Sequence, residues 1–215
     1  MKDGNIEGAV TLSLEKDASW SPVATNTAGT TCAFFSGSSP AITEWVLNLA
    51  GHQLTLNGPT DKMMLLGFMK TAQLSSFTIT DTTDNGSVTG VEEKELGESA
   101  GKILLNNINL TVSIPTFSIN NITIKSTEDS LIPAQILNTT STNVGIHGSY
   151  FEGNCSATVI KCNTANVEDT TIVNTGSGYG FRQSGTIVNC KITAQNSAAL
   201  YLSGQNNVVI GGSYE

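Results

Sequence analysis

A chain of 215 residues with 10 basic and 18 acidic side chains, net charge −8, lacks the Lys/Arg clusters that engage a phosphate backbone, so nucleic acid is excluded as a partner. Charged residues are only 13% of the chain and mean hydropathy is near zero; Ser, Thr, Asn and Gly supply the polar surface, which suits many short strands joined by bends rather than amphipathic helices. No apolar run approaches the roughly 20 residues a membrane helix needs, and Met1-Lys2-Asp3-Gly4-Asn5 leads into no apolar h-region, so no signal peptide is read.

In chain order, residues 1–44 read as an N-terminal cap or irregular first coils. Ala9 to Leu14 alternates like a strand, and Ser36-Gly37-Ser38-Ser39-Pro40 is a loop. Residues 45–215 read as a repeating unit. Trp45 to Leu56 is a pair of strands around a bend at Gly51, and a short stretch near Trp45 is the one place where helical spacing is arguable. Met63 to Met69 fits a buried strand or a short lid. Thr80 to Gly86 is turn-rich and leads to the charge run Val91 to Glu98, so a solvated loop is expected to be inserted near 80–100.

A six-residue frame recurs: aliphatic, any, bend-former, small or apolar, any, aliphatic or aromatic. It spans Leu49–Leu54, Leu74–Ile79, Leu105–Leu110, Ile119–Ile124, Ile146–Phe151, Val167–Ile172 and Ile187–Ile192, and opens again at Ile210. The third position is Gly51, Ser76, Asn107, Asn121, Gly148, Asp169, Asn189 and Gly212, mostly residues that tolerate positive φ. Successive frames end 25, 31, 14, 27, 21 and 20 residues apart. A period in the low twenties with strands and no helical unit indicates a β-solenoid. The gap of 14 is too short for a three-sided coil, so the frame at 105 or the one at 119 belongs to another register. Leu54, Ile79, Phe151, Ile172 and Ile192 are expected to form one dry column. Val159, Phe181 and Leu202 are expected to stack inside, with Thr158, Ile160, Arg182 and Tyr201 outside. Asn107, Asn121 and Asn189 are expected to align as a partial amide ladder.

Leu47 to Thr55, followed by Phe77 to Asp81, resembles the right-handed parallel β-helix segments of large bacterial cell-surface, adhesin-like proteins, and the later frames resemble parallel β-helix repeats of the pectate-lyase-like superfamily. The resemblance covers roughly residues 45 to 215. It implies an all-β, right-handed parallel β-helix, a fold that hosts lyases, hydrolases, tailspikes and inert stalks alike.

The chemistry is sparse. Cys32, Cys155, Cys162 and Cys190 form no Cys-x-x-Cys, and the two histidines are not at ligand spacing to them, so no zinc site or other metal or cofactor is expected. Cys190 reads as a buried thiol; a bridge between Cys155 and Cys162 stays open. A lyase of this superfamily is expected to need a carboxylate cluster and an arginine base, for which only Arg182 is present. Gly145-Ile146-His147-Gly148 is a poor echo of a hydrolase motif, His147 is expected to be outward and alone, and Asp169 of the Glu168-Asp169 pair sits in a bend slot. No catalytic residues are therefore assigned. Outward Tyr150 and Tyr201 with Arg182 form a weak candidate set for stacking on sugar rings. The expected function is a non-catalytic extracellular or cell-surface stalk or adhesin presenting a binding surface to a glycan or host-surface ligand. The alternatives are a carbohydrate-active enzyme, a polysaccharide lyase or glycoside hydrolase, and a trimeric phage tail-fibre segment. The frame begun at Ile210 and halted at Glu215 suggests a chain cut from a longer secreted protein, or end-to-end stacking at that edge.

Overall fold

The computed structural model describes residues 8–21, 31–33, 42–69, 73–83, 98–127, 131–204 and 206–215. Their secondary structure is strand throughout, every strand pair is parallel, and the chain climbs coil by coil. The first coil comprises β1 (Gly8–Ser13), β2 (Ala18–Trp20) and β3 (Thr31–Ala33); the second β4 (Ile42–Asn48), β5 (Gln53–Asn57) and β6 (Met64–Met69). The third has β7 (Ser76–Thr80), β8 (Lys102–Asn106) and β9 (Ile108–Ser113); the fourth β10 (Thr116–Asn120), β11 (Thr123–Ser126) and β12 (Leu137–Thr139). In the fifth, β13 (Asn143–His147) and β14 (Tyr150–Gly153) lead into β15 (Thr158–Glu168). The sixth takes the second half of β15, then β16 (Thr171–Asn174) and the start of β17 (Tyr179–Val188). The remainder of β17, with β18 (Lys191–Ala194) and β19 (Leu200–Leu202), makes the seventh, and β20 (Val208–Ile210) and β21 (Ser213–Tyr214) begin an eighth.

Each strand pairs with its counterpart one coil away, giving three ladders, or faces. The second face runs β2-β5-β8-β11-β14-β16-β18-β21. The first and third faces join into one curled sheet because β15 and β17 are long enough to turn a corner: Leu137 pairs with Ile160 at one end of β15, and Ile146 with Val167 at the other. The architecture is thus solenoid-like.

Period-two alternation builds the core. In β7, Phe77 and Ile79 are buried while Ser76, Thr78 and Thr80 face outward, and parallel register aligns like with like. The first face stacks Leu47, Ile79, Ile119, Ile146, Val167, Ile187 and Val209. The second stacks Leu54, Ile103, Ile124, Phe151, Ile172, Ile192 and Tyr214. The third stacks Leu66, Leu110, Leu137, Ile160, Phe181 and Leu200. Phe68, Phe77 and Phe117 add a ring stack, with centroids 4.7 and 5.7 Å apart. A fully buried side chain of this kind contributes about 1.5–3 kcal/mol. A single coil cannot offset its chain entropy with a handful of these, whereas stacked coils cover one another.

Between the first and second faces the chain turns through a residue at positive φ: Asn121 (56°), Gly148 (55°), Asp169 (48°), Asn189 (50°) and Gly211 (63°) occupy one corner. The frame at 105 is a bend of the same kind at a different corner, with Asn107 at φ 54° between the second and third faces. That explains the gap of 14, since Asn107 and Asn121 mark two different corners of neighbouring coils. Other expectations are corrected by the same register. Ser76 opens β7 and makes no bend, so Ile79 belongs to the first face and Ile103 takes its place in the column of Leu54 and Phe151. The last frame is shifted by one, with Tyr214 rather than Glu215 below Ile192. Phe181 stacks on Ile160, not Val159, and Thr158 and Ile160 are buried rather than outward. The arguable helix near Trp45 is strand β4, and Met64–Met69 is strand β6.

The amide ladder falls elsewhere. Gly148 and Asp169 lie between Asn121 and Asn189, and Asn107 turns to donate to the Pro59 carbonyl at 2.9 Å. The amides that do stack are Asn57 and Asn106, direct register partners that hydrogen-bond each other, with Ser19 and Thr127 extending the row. Cys155, Cys162 and Cys190 are free buried thiols, so the bridge between Cys155 and Cys162 is absent. The insertion expected near 80–100 falls largely on 84–97, outside the described residues.

Facing dictates tolerance. Ile192→Asp places a carboxylate in a fully buried column and is expected to abolish the cooperative unfolding transition. Arg182→Ala, on an exposed position, is expected to leave denaturant stability within about 1 kcal/mol of the parent. Equal tolerance at the two positions would contradict the assigned facing.

Candidate functional site

With the interior dry, any recognition chemistry lies on the outer faces and at the corners. Four polar groupings stand out.

The first is on the third face. Register places Lys161 of β15, Arg182 of β17 and Tyr201 of β19 side by side along the stack. The Arg182 guanidinium lies 5.4 Å from the Tyr201 ring centroid and 5.9 Å from that of Tyr179, and the two rings are 5.0 Å apart. Tyr201 is 44% exposed. Beside them Gln183 donates to Asn163 at 2.8 Å. Among the described residues neither Lys161 nor Arg182 enters an ion pair.

The second grouping is on the second face. Lys125 bridges Glu98 and Glu152, the latter at 2.8 Å, while Lys102 reaches Glu98 at 2.8 Å. Tyr150 donates its hydroxyl to Glu152 at 3.0 Å, and Lys125 sits 5.2 Å from its ring centroid. Burial alone would lower the Lys125 ammonium, but the two carboxylates outweigh it and hold it above its ordinary range. Burial and the Glu152 carboxylate push Tyr150 up to about 12. Every charge here already has a partner, so this is a self-satisfied surface network of modest worth.

The third is His147, not alone as expected: its Nδ1 lies 3.4 Å from a Glu168 oxygen one coil away, both side chains being partly exposed. Asp169 sits at the corner with φ 48°, as its bend slot implied.

The fourth is Asp81, where the chain leaves β7 for the inserted segment. Its carboxylate is 2% exposed and accepts from Gly51 N and Thr83 N (both 2.9 Å), Thr83 Oγ1 (2.6 Å) and Gly101 N (2.6 Å). These bonds join both sides of the insertion's neck to the coil below. Burial pushes this carboxyl up, yet the hydrogen bonds from Thr83, Gly51 and Gly101 win and hold it below its ordinary value.

Of the three residues singled out from the sequence for sugar stacking, Arg182 and Tyr201 therefore stand together, and Tyr150 stands on another face, engaged by Glu152 and Lys125. Sequence reading missed Tyr179 and Lys161. Strand alternation carried back from Phe181 would turn Tyr179 inward, but Tyr179 opens β17, where alternation has not yet set in. Lys161 was hidden by a one-residue register error; the correct spacing of 21 puts it opposite Arg182. No protein-family model, curated protein or solved structure matches the chain. Among the described residues no helix is long and apolar enough to cross a membrane, and no cluster of His, Cys, Asp and Glu could hold a metal ion.

Two outcomes follow. A carboxylate with a depressed pKa stabilises the fold above its unfolded value of about 3.9 and loses that contribution as pH falls through the folded value. Asp81→Asn is accordingly expected to cost about 1.5–3 kcal/mol at neutral pH and to flatten the acid limb of the stability–pH curve, measured by denaturant melts from pH 2 to 7. Burial raises Cys155 to about 12 and Cys190 to about 11, and raises Cys162 as well. A thiol reagent is expected to leave these three unmodified in the native state and to label them once denaturant is added.

Proposed function

We propose that this chain is a segment of an extracellular or cell-surface, right-handed parallel β-helix that acts without catalysis, as a rigid stalk or adhesin presenting a binding surface. The observation that carries the reading is the pairing of a continuous dry core with an exposed cation, Arg182, set against two contacting tyrosine rings, Tyr179 and Tyr201, and without an acidic partner among the described residues. The first supports stiffness: seven full coils at roughly 4.8 Å each form a column in which every rung is buttressed by its neighbours. The second supports recognition, because an aromatic and arginine patch is a recurrent composition of binding surfaces. The right-handed sense is supported by the handedness of parallel strand crossovers, which is right in about 98% of cases.

The enzyme reading has the His147–Glu168 contact behind it. A glycosidase needs two facing carboxyl groups about 5–9.5 Å apart, and the acids placed on the second face are already neutralised by Lys102 and Lys125.

A glycan array together with small-angle scattering tests the proposal. The expected result is saccharide binding by an elongated particle that releases no shortened product from the bound glycans. Cleavage of a bound polysaccharide, or binding to no glycan at all, would overturn it.

A further inference from the structure

Lys161 and Arg182 are direct partners on adjacent parallel strands, some 4.8 Å apart along the stack. Like charges placed opposite each other on a sheet destabilise it by a small amount. The cation–π contacts of Arg182 with Tyr179 and Tyr201 return a similar amount at an exposed site. Fold stability therefore gives no reason for the pair. It is also against the grain of the chain, which carries 18 acidic residues and only 10 basic ones. The contrast with the second face is direct: there Lys102 and Lys125 are each matched to glutamates, whereas here two neighbouring cations have no acidic partner among the described residues.

We infer that Lys161, Arg182, Tyr179 and Tyr201 form a subsite for an acidic saccharide, the carboxylate of one sugar residue lying between the two cations and the sugar ring lying on Tyr201. This rests on the glycan-presenting reading above and specifies its ligand. The planar fork of a guanidinium matches a carboxylate with two parallel hydrogen bonds, and the ammonium beside it supplies a second, less directional attraction. Tyr201 is exposed enough to offer its face to the apolar side of a pyranose, and Tyr179 packs behind it, limiting the ring's freedom before any ligand arrives. The amides of Gln183, one residue beyond Arg182, and Asn163, two residues beyond Lys161, provide donors and acceptors for sugar hydroxyls. The net charge of −8 opposes long polyanions, so the subsite suits a glycan whose acidic residue is isolated or terminal.

The probe is a trisaccharide ending in glucuronate, titrated calorimetrically against the whole chain at low and at physiological salt, beside its carboxyl-reduced neutral counterpart and a short glutamate-rich peptide. The acidic trisaccharide is expected to bind, more weakly as salt rises. Carboxyl reduction, Arg182→Gln, and the double variant Lys161→Gln/Arg182→Gln are each expected to weaken binding roughly tenfold or more, the range of a lost charge-assisted hydrogen-bond pair. Tyr201→Ala is expected to weaken the acidic and neutral sugars alike, and Tyr150→Phe, on another face, to change neither. Lys161→Gln is expected not to lower Tm, which separates a binding role from a structural one. Equal affinity of parent and Arg182→Gln for the acidic sugar, absence of binding by the parent, or tighter binding of the peptide would overturn the subsite. If neutral sugars bind and are indifferent to Arg182, the subsite fails while glycan presentation stands; if no sugar on an array binds, both fail.

Discussion

In-register parallel stacking is the constraint from which the rest of this structure descends. A coil can lie on its neighbour only if it turns at the same place, and from the fourth coil onward the turn between the first and second faces asks for a backbone at positive φ. Asn121, Gly148, Asp169, Asn189 and Gly211 meet that demand one above another. Non-glycine residues in this region carry a conformational cost of order 1 kcal/mol, lowest for Asn and Asp. Each cost is small beside the burial of the Ile, Val or Phe that the turn brings into column. The second coil turns differently, with Ala50 at φ 50° followed by Gly51 at 79°. Alanine is a poor choice there, and the corner is held from outside: Asn48 accepts from Ala50 N at 3.1 Å, and Asp81 of the next coil accepts from Gly51 N.

The same requirement governs the few polar groups inside. At the position after the bend, Ser149, Thr170 and Cys190 stack, and each side chain returns to the carbonyl two residues back, those of His147, Glu168 and Val188. The thiol of Cys190 thus stands where a hydroxyl stands in the coils beneath it, which accounts for its burial without any reactive role. Asn174, completely buried, accepts from Cys155 N and Gly176 N and donates to the carbonyls of Cys155 and Tyr179, leaving nothing of its amide unmatched. Such groups tie neighbouring coils through contacts that tolerate no change of register.

Fold class was legible in the sequence because bends and columns leave local marks. Asn121, Gly148, Asp169 and Asn189, each between two aliphatic or aromatic anchors, are enough to reveal the repeat. Assigning each mark to a corner was not possible locally: Asn107 and Asn121 look alike in sequence, and only the pairing of β8 with β11 shows that they belong to different edges of the coil. The inserted segment had the same effect on Asp81, separating it from Ile103 so that the frame it belongs to no longer read as one. On the outer surface no repeat guides the eye. Arg182 and Tyr201 emerged because arginine is unique in the chain and strand alternation pointed both outward. Lys161 and Tyr179 depended on a register that one residue of error conceals.

One column on the first face narrows as the chain advances, from Phe77 and Phe117 to Val144 and on to Ala165 and Gly185. Coil length falls with it, from 27 residues between Phe117 and Val144 to 20 between Ala165 and Gly185. The repeats are therefore not interchangeable bricks. A late coil transplanted beneath an early one would leave a void the size of a benzene ring, and the reverse exchange would force an aromatic ring against backbone. Each coil is fitted to the girth of the one before it, so the order of the coils is itself part of what the sequence encodes.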